Sequence, residues 1–274
     1  VYTILISVVI GLVLGFGLGV FGNVHWGWGI MWGLLAAIAS QVGFSLLLKR
    51  RVQAAMNKVQ AILQTGQDRV QKKAMQMQNR PIGSVKEAQR ILEKEQHVFI
   101  EQALVATAAL ESYYRWMPLL DRQVATMRMQ LYFQLKDDAA VDKLLPKCLY
   151  FDPMTAAMRM TRMYRTDVPG AEIAKFYNKQ TRKLRYGQGA VLYGLMAWIH
   201  VQRNETEEAR KVLMKANERM SNDTMKANLD HLTNGRVRQF SNSGLGDEWY
   251  ALGLEMVKVR PQRQRMSGHG GRPF

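Results

Sequence analysis

No aspartate, glutamate, lysine or arginine occurs before Lys49, although the 274-residue chain carries 38 basic and 22 acidic side chains. An uncharged stretch of that length is too long for a buried core helix and predicts two membrane spans of about 20 residues each. The mean hydropathy of −0.20 therefore averages two unlike parts, and a uniformly soluble chain is excluded. The single cysteine, Cys148, excludes an internal disulfide framework, a CxxC redox pair and any multi-cysteine metal site within one chain. Acidic residues are scarce enough to leave a net charge of +16, which calls for anionic neighbours such as lipid headgroups, nucleic acid or acidic proteins. The excess is not spread evenly. Residues 49–80 carry eight basic side chains and one acidic, residues 81–257 carry 25 and 21, and residues 258–274 carry five and none.

What fills the uncharged part is two apolar runs, at about residues 2–22 and 27–48, joined by a short link containing Asn23, Val24, His25 and Trp26. So short a link predicts an antiparallel hairpin. Gly11, Gly15 and Gly19 recur at helical spacing in the first run, and Gly29, Gly33 and Ala37 in the second. Small residues every fourth position let helices approach closely in lipid, where packing replaces the hydrophobic drive. The stripes face each other or another subunit. Lys49, Arg50 and Arg51 follow the second run while the link is neutral, so the positive-inside rule places both termini and the helical domain in the cytoplasm. A signal peptide is disfavoured because no basic residue precedes the first run. Gly17, Gly19 and Gly22 fit GxGxxG, but that fingerprint needs a strand before it and a helix after it.

Val52, Met56, Val59, Leu63, Gly66, Val70, Lys73 and Met77 alternate steps of four and three, predicting a basic juxtamembrane helix packed on a partner helix. Gly66 and Lys73 interrupt the apolar seam in its second half. Juxtamembrane lysines and arginines of this kind also attract anionic lipid headgroups. Arg80, Pro81 and Gly83 end the helix, and Ser84-x-x-Glu87 is a capping box that starts another, running to about Pro118. Beyond it no alternating run survives between turn signals, so the fold class expected is all-α. The expected domains are a hairpin over 1–48, the juxtamembrane helix over 49–80, a helical domain over 81–257 and a basic flexible tail over 258–274.

Two helix pairs stand out, 122–135 with 139–150 and 190–202 with 206–220. Aligning them gives an offset of 68 residues, twice 34. In the second pair Ala197, Ala209, Leu213 and Ala216 take a small, small, large, small pattern, and in the first Tyr132, Leu145, Cys148 and Pro153 match aromatic, large, small and terminal positions. At these residues the chain resembles the tetratricopeptide-repeat family over about 122–257. The stretch 156–189 departs from the pattern at Arg159, Arg162 and Lys175, and Trp249-x-x-Leu252-Gly253 looks like the start of a further first helix, out of phase. A two-span anchor followed by such repeats also resembles, in architecture, the HemY-like and LapB-like bacterial inner-membrane proteins. That resemblance implies the organisation of membrane-associated proteins.

Chemistry is thin. The histidines, at 25, 97, 200, 231 and 269, never stand i, i+4 or beside a carboxylate in an HExxH pattern, and neither GxSxG nor a P-loop occurs. No metal site, cofactor or catalytic residue is expected, so the chain is read as a non-enzyme. The alternatives are an assembly or quality-control factor recruiting soluble proteins, or a cofactor- or pigment-binding accessory subunit using His25. Met154, Met158, Met160 and Met163 form either an adaptable surface or core filling. Arg182, Lys183 and Arg185, in a +6 segment at 156–189, together with Arg128, Tyr193 and His200 on the non-core faces of the first helices, are the candidate partner-binding residues. An acidic protein segment, or a membrane protein complex, is the expected partner rather than nucleic acid.

Overall fold

The computed structural model describes residues 2–21, 26–79 and 85–256, and every described regular element is helical. The capping box start at Ser84, the link at 22–25 and the tail at 258–274 lie outside the described residues. Two compact units divide after Leu149, so the region expected as one domain over 81–257 is cut, and the step expected at residue 48 lies inside a helix.

The first unit is built on α1 (Tyr2–Phe21) and the 54-residue α2 (Trp26–Asn79). Helix α2 contains a segment long and apolar enough to cross a membrane, only 6% of it buried within the protein. Helices α1 and α2 pack against each other along the glycine stripes. A methyl group on Gly11 would stand 2.7 Å from the Gly33 carbonyl oxygen and the Ala37 Cβ, and one on Gly33 would stand 2.6 Å from the Gly11 oxygen. Gly15 approaches Gly29 at 3.1 Å in the same sense, whereas Gly17, Gly27 and Gly43 face open space. Ser7 donates to the Gln41 Oε1 at 2.9 Å, satisfying a polar pair between otherwise apolar helices. Gly19 continues α1 but its packing lies outside the described residues.

The polar half of α2 packs on α3 (Val85–Thr107) and α4 (Leu120–Gln134), and the seam read from the sequence is the face it uses. Val59, Ile100, Ala103 and Leu131 form one buried cluster, and Val52, Leu110, Leu120 and Val124 form another. Each buried aliphatic side chain of this kind contributes about 1.5–3 kcal/mol. The two residues expected to spoil the seam serve it. Gly66 admits Phe99, whose Cβ would lie 2.6 Å from a Cβ at that position, and Lys73 donates to Glu95 at 2.6 Å. That hydrogen bond, with the nearby ammonium charge, holds the Glu95 carboxyl below its ordinary value of 4.5. Helix α3 stops at Thr107 instead of reaching Pro118, because a 3₁₀ turn from Ala108 to Tyr113 and a left-handed Leu119 (φ 66°) redirect the chain into α4. A left-handed Lys136 and the Asp137 side chain, which accepts from the Ala140 amide, then start α5 (Asp138–Leu144). Helix α5 is half the expected length. Pro146 supplies no amide for another turn, and Cys148 is extended.

The second unit comprises α6 (Pro153–Arg165), α7 (Gly170–Thr181), α8 (Ala190–Gln202), α9 (Thr206–Arg219), α10 (Asp223–Thr233) and the short α11 (Asp247–Tyr250). Helix α8 is its axis, with Val191 to Ile199 buried on every side. A helix apolar all round is a core helix when its neighbours cover it. Helices α6, α7 and α9 do so here, with Ala197, Ala209, Leu213 and Ala216 fully buried. Met158 and Met160 are core residues, which settles the methionine cluster as filling. Trp249 and Leu252 do not begin a further repeat helix. The chain turns at Gly253 (φ 63°), and both side chains are buried as a plug.

Two outcomes are expected. Gly33→Ile should separate α1 from α2, read as loss of a cysteine cross-link between Ser7 and Gln41 positions, while Gly43→Ile should leave it intact. Glu95 should titrate below 4.5, so its pairing is complete at neutral pH and is lost as the pH falls through that lowered value; NMR titration should show Lys73→Met returning it to the ordinary range.

Candidate interaction surfaces

Of the six candidate binding residues, Arg128 belongs to the first unit and the rest to the second. Arg128 donates Nε–H to Thr107 Oγ1 at 2.7 Å and Nη2–H to Glu111 Oε1 at 2.6 Å. Thr107 and Glu111 flank the point where α3 gives way to the 3₁₀ turn, so the guanidinium pins that break to α4. It also lines an open groove of about 610 Å³ with Leu104, Val105, Tyr132 and Lys143. Val105, 76% exposed, is apolar surface beside it.

Tyr193 is not at the surface. Helical spacing places it off the core face, but α8 is buried all round, and Tyr193 packs edge-on against Tyr177 at 5.8 Å with 2% exposure. Burial pushes both phenols above their ordinary value. His200 is also largely covered. Its Nδ1 lies 2.6 Å from Glu205 Oε2, and its carbonyl accepts from the Glu205 amide at 2.8 Å, so it closes the α8–α9 turn around the left-handed Asn204.

Arg182, Lys183 and Arg185 are exposed in the turn between α7 and α8. The turn is held from within: Gly187 and Gly189 take φ of 82° and 86°, which L side chains adopt poorly, and the Gly187 amide donates to the Arg219 carbonyl at 2.9 Å. Tyr186 is 74% exposed in the same turn, and Phe151, 79% exposed, lines a shallow cleft with Lys183 and Leu184. Asp152 sits in that cleft too, but its carboxylate is engaged as the cap of α6, accepting from the Thr155 amide at 3.0 Å. The result is a surface where, among the described residues, the cations have no side-chain partner and stand beside two exposed rings.

Four residues with clear work were not singled out, or were read as departures from the pattern. Arg159 lies over the rings of Tyr150 and Phe176, at 4.8 and 4.6 Å, which themselves meet edge-on, so a cation at an apolar position is accommodated by cation–π contact. Phe151 could have been found as an aromatic directly preceding the Asp-Pro cap. Glu255 accepts from the indoles of Trp198 at 2.9 Å and Trp249 at 3.0 Å, and Arg165 donates to the Leu252 and Gly253 carbonyls. No local signal marks Glu255, because its partners are 57 and 6 residues away. Among the described residues no cluster of metal-ligating side chains occurs. No family model, curated protein or solved structure matches this chain.

Glu255→Ala should leave two indole donors without their acceptor and lower the stability of the second unit by about 1–3 kcal/mol, read by denaturant unfolding followed through tryptophan fluorescence.

Proposed function

We propose that this chain is a membrane-anchored, non-catalytic scaffold or accessory subunit of a membrane protein complex. The observation that carries the reading is the continuity of α2, in which an apolar, uncovered segment and a core-forming polar segment share one helix. A domain mounted on such a helix is tethered and oriented at the membrane. In this reading α1 and α2 both cross a bacterial-type inner membrane, and the basic side chains from Lys49 onward keep the helical units cytoplasmic.

The tetratricopeptide resemblance gives the mode of action. Helices α4, α6, α8 and α10 begin at residues 120, 153, 190 and 223, close to the spacing of that repeat. Contact between α6 and α8, both first helices of their pairs, supports the same reading. Stacked helix pairs offer extended surfaces to a protein ligand. The exposed Arg182, Lys183 and Arg185 with Phe151 and Tyr186 favour an acidic segment carrying apolar side chains, in which charge steers the encounter and the rings supply buried area.

Reversing Arg182, Lys183 and Arg185 to glutamate should lower recovery of the partner from detergent-solubilised membranes by about tenfold, with the circular-dichroism melt unchanged. A scaffold subunit is recovered in fixed ratio to that partner. Full recovery by both the charge-reversed chain and a chain ending at residue 80 would remove the helical units from the binding role.

A further inference from the structure

Where the apolar half of α2 ends, a pocket of about 460 Å³ opens between that helix and the 3₁₀ segment that follows α3. Its lining is Phe44, Leu47, Leu48 and Arg51 from α2, and Ser112, Tyr113 and Trp116 from the other wall. The four α2 residues stand at i, i+3, i+4 and i+7, so they share one face of the helix. Seven residues of α helix cover about 10 Å along the axis, with Phe44 at the apolar end and Arg51 at the charged end. The pocket is thus graded from hydrocarbon to cation in the direction in which α2 itself changes from apolar to basic.

The second wall is fixed in place. Trp116 meets the Tyr2 ring edge-on at 5.7 Å, the Tyr2 amide donates to the Arg115 carbonyl at 3.2 Å, and the Thr3 hydroxyl donates to the Trp116 carbonyl at 3.3 Å. The start of α1 is therefore what holds Trp116 against the hairpin. Arg51 is exposed, and no described side chain pairs with it. Leu46 and Leu47, 57% and 62% exposed, continue the apolar wall onto the uncovered surface of the hairpin.

We infer that this pocket seats one anionic phospholipid, its phosphate on Arg51 and an acyl chain along Leu48, Leu47 and Phe44. The inference rests on the membrane reading of α2. Charge complementarity selects the headgroup: the guanidinium donates to the phosphate oxygens of any phospholipid, but only in an anionic one does no headgroup ammonium offset the charge it meets. Position selects a lipid over a peptide: the apolar end of the pocket merges with the exposed apolar surface of α2, and its other wall carries Tyr113 and Trp116, side-chain types enriched at bilayer interfaces. The lipid fills the gap between hairpin and helical core, and so stiffens the junction from which the anchored unit is oriented. Lys49 and Arg50 do not line the pocket and attract headgroups only diffusely.

The full chain, purified in mild detergent, is exposed to equal amounts of palmitoyl-oleoyl phosphatidylglycerol and phosphatidylcholine, and bound lipid is counted by native mass spectrometry. One phosphatidylglycerol per chain is expected, preferred about fivefold, the increment of one basic side chain near a headgroup. Arg51→Gln should abolish the preference and Leu48→Asp should reduce occupancy of both lipids, whereas Lys49→Gln should retain the wild-type result. Equal binding of the two lipids by the wild type, or an unchanged preference in Arg51→Gln, would overturn the site. A parallel alkaline wash of vesicles carrying the chain separates the two levels of the argument. A chain that stays inserted yet shows no preference refutes the lipid seat alone, and a chain that washes off refutes the membrane reading and the seat with it.

Discussion

The first unit depends on one unbroken helix serving two different kinds of contact. Along its apolar half, α2 packs backbone to backbone against α1, with glycine carbonyls and Cα atoms at the limit of approach. Along its polar half it packs side chain into side chain against α3 and α4, through Val52, Val59 and their neighbours. Fifty-four residues in one hydrogen-bond ladder span about 80 Å. The positions that look like interruptions, Gly66 and Lys73, are those where the partner helix supplies a ring and a carboxylate to fit them.

The second unit solves a different problem. Its central helix has no polar face, so the neighbours α6, α7 and α9 bring apolar surface to it. The buried hydroxyls of Thr161 and Tyr177 have no described partner, whereas the buried asparagines are matched. Asn242 donates to the Gly194 carbonyl at 2.8 Å and accepts from Asn228 at 3.0 Å, which in turn receives the Ser241 amide. This chain of bonds fastens the irregular segment before α11 to α8 and α10. Glu255 does the same for the two indoles. Satisfied networks of this sort specify one packing among the many that apolar contact alone would allow.

These constraints leave little free surface with distinctive chemistry. Arg128 and His200 spend their donors and acceptors on closing helix junctions, and Tyr193 is part of the core. The cations at 182, 183 and 185 remain uncommitted because the turn that carries them is held by backbone bonds rather than by their side chains. That division between side chains that build and side chains left over is the physical basis for choosing this turn as an interaction surface.

The helical class, the limits of α8 and the seam along α2 were all legible in the sequence, because each depends on residues within a turn or two of one another. The sequence also marked the glycine stripes, since the spacing of small residues along a helix is a local property. Which way those stripes face, that Gly66 receives Phe99, that Arg159 lies over two rings and that Glu255 joins two tryptophans were decided only by the tertiary structure. So was the burial of Tyr193: periodicity assigns a helix one apolar face, and a helix covered from all directions has none to assign. Contacts between residues far apart in the chain depend on where whole helices come to rest, and no pattern within one helix carries that information.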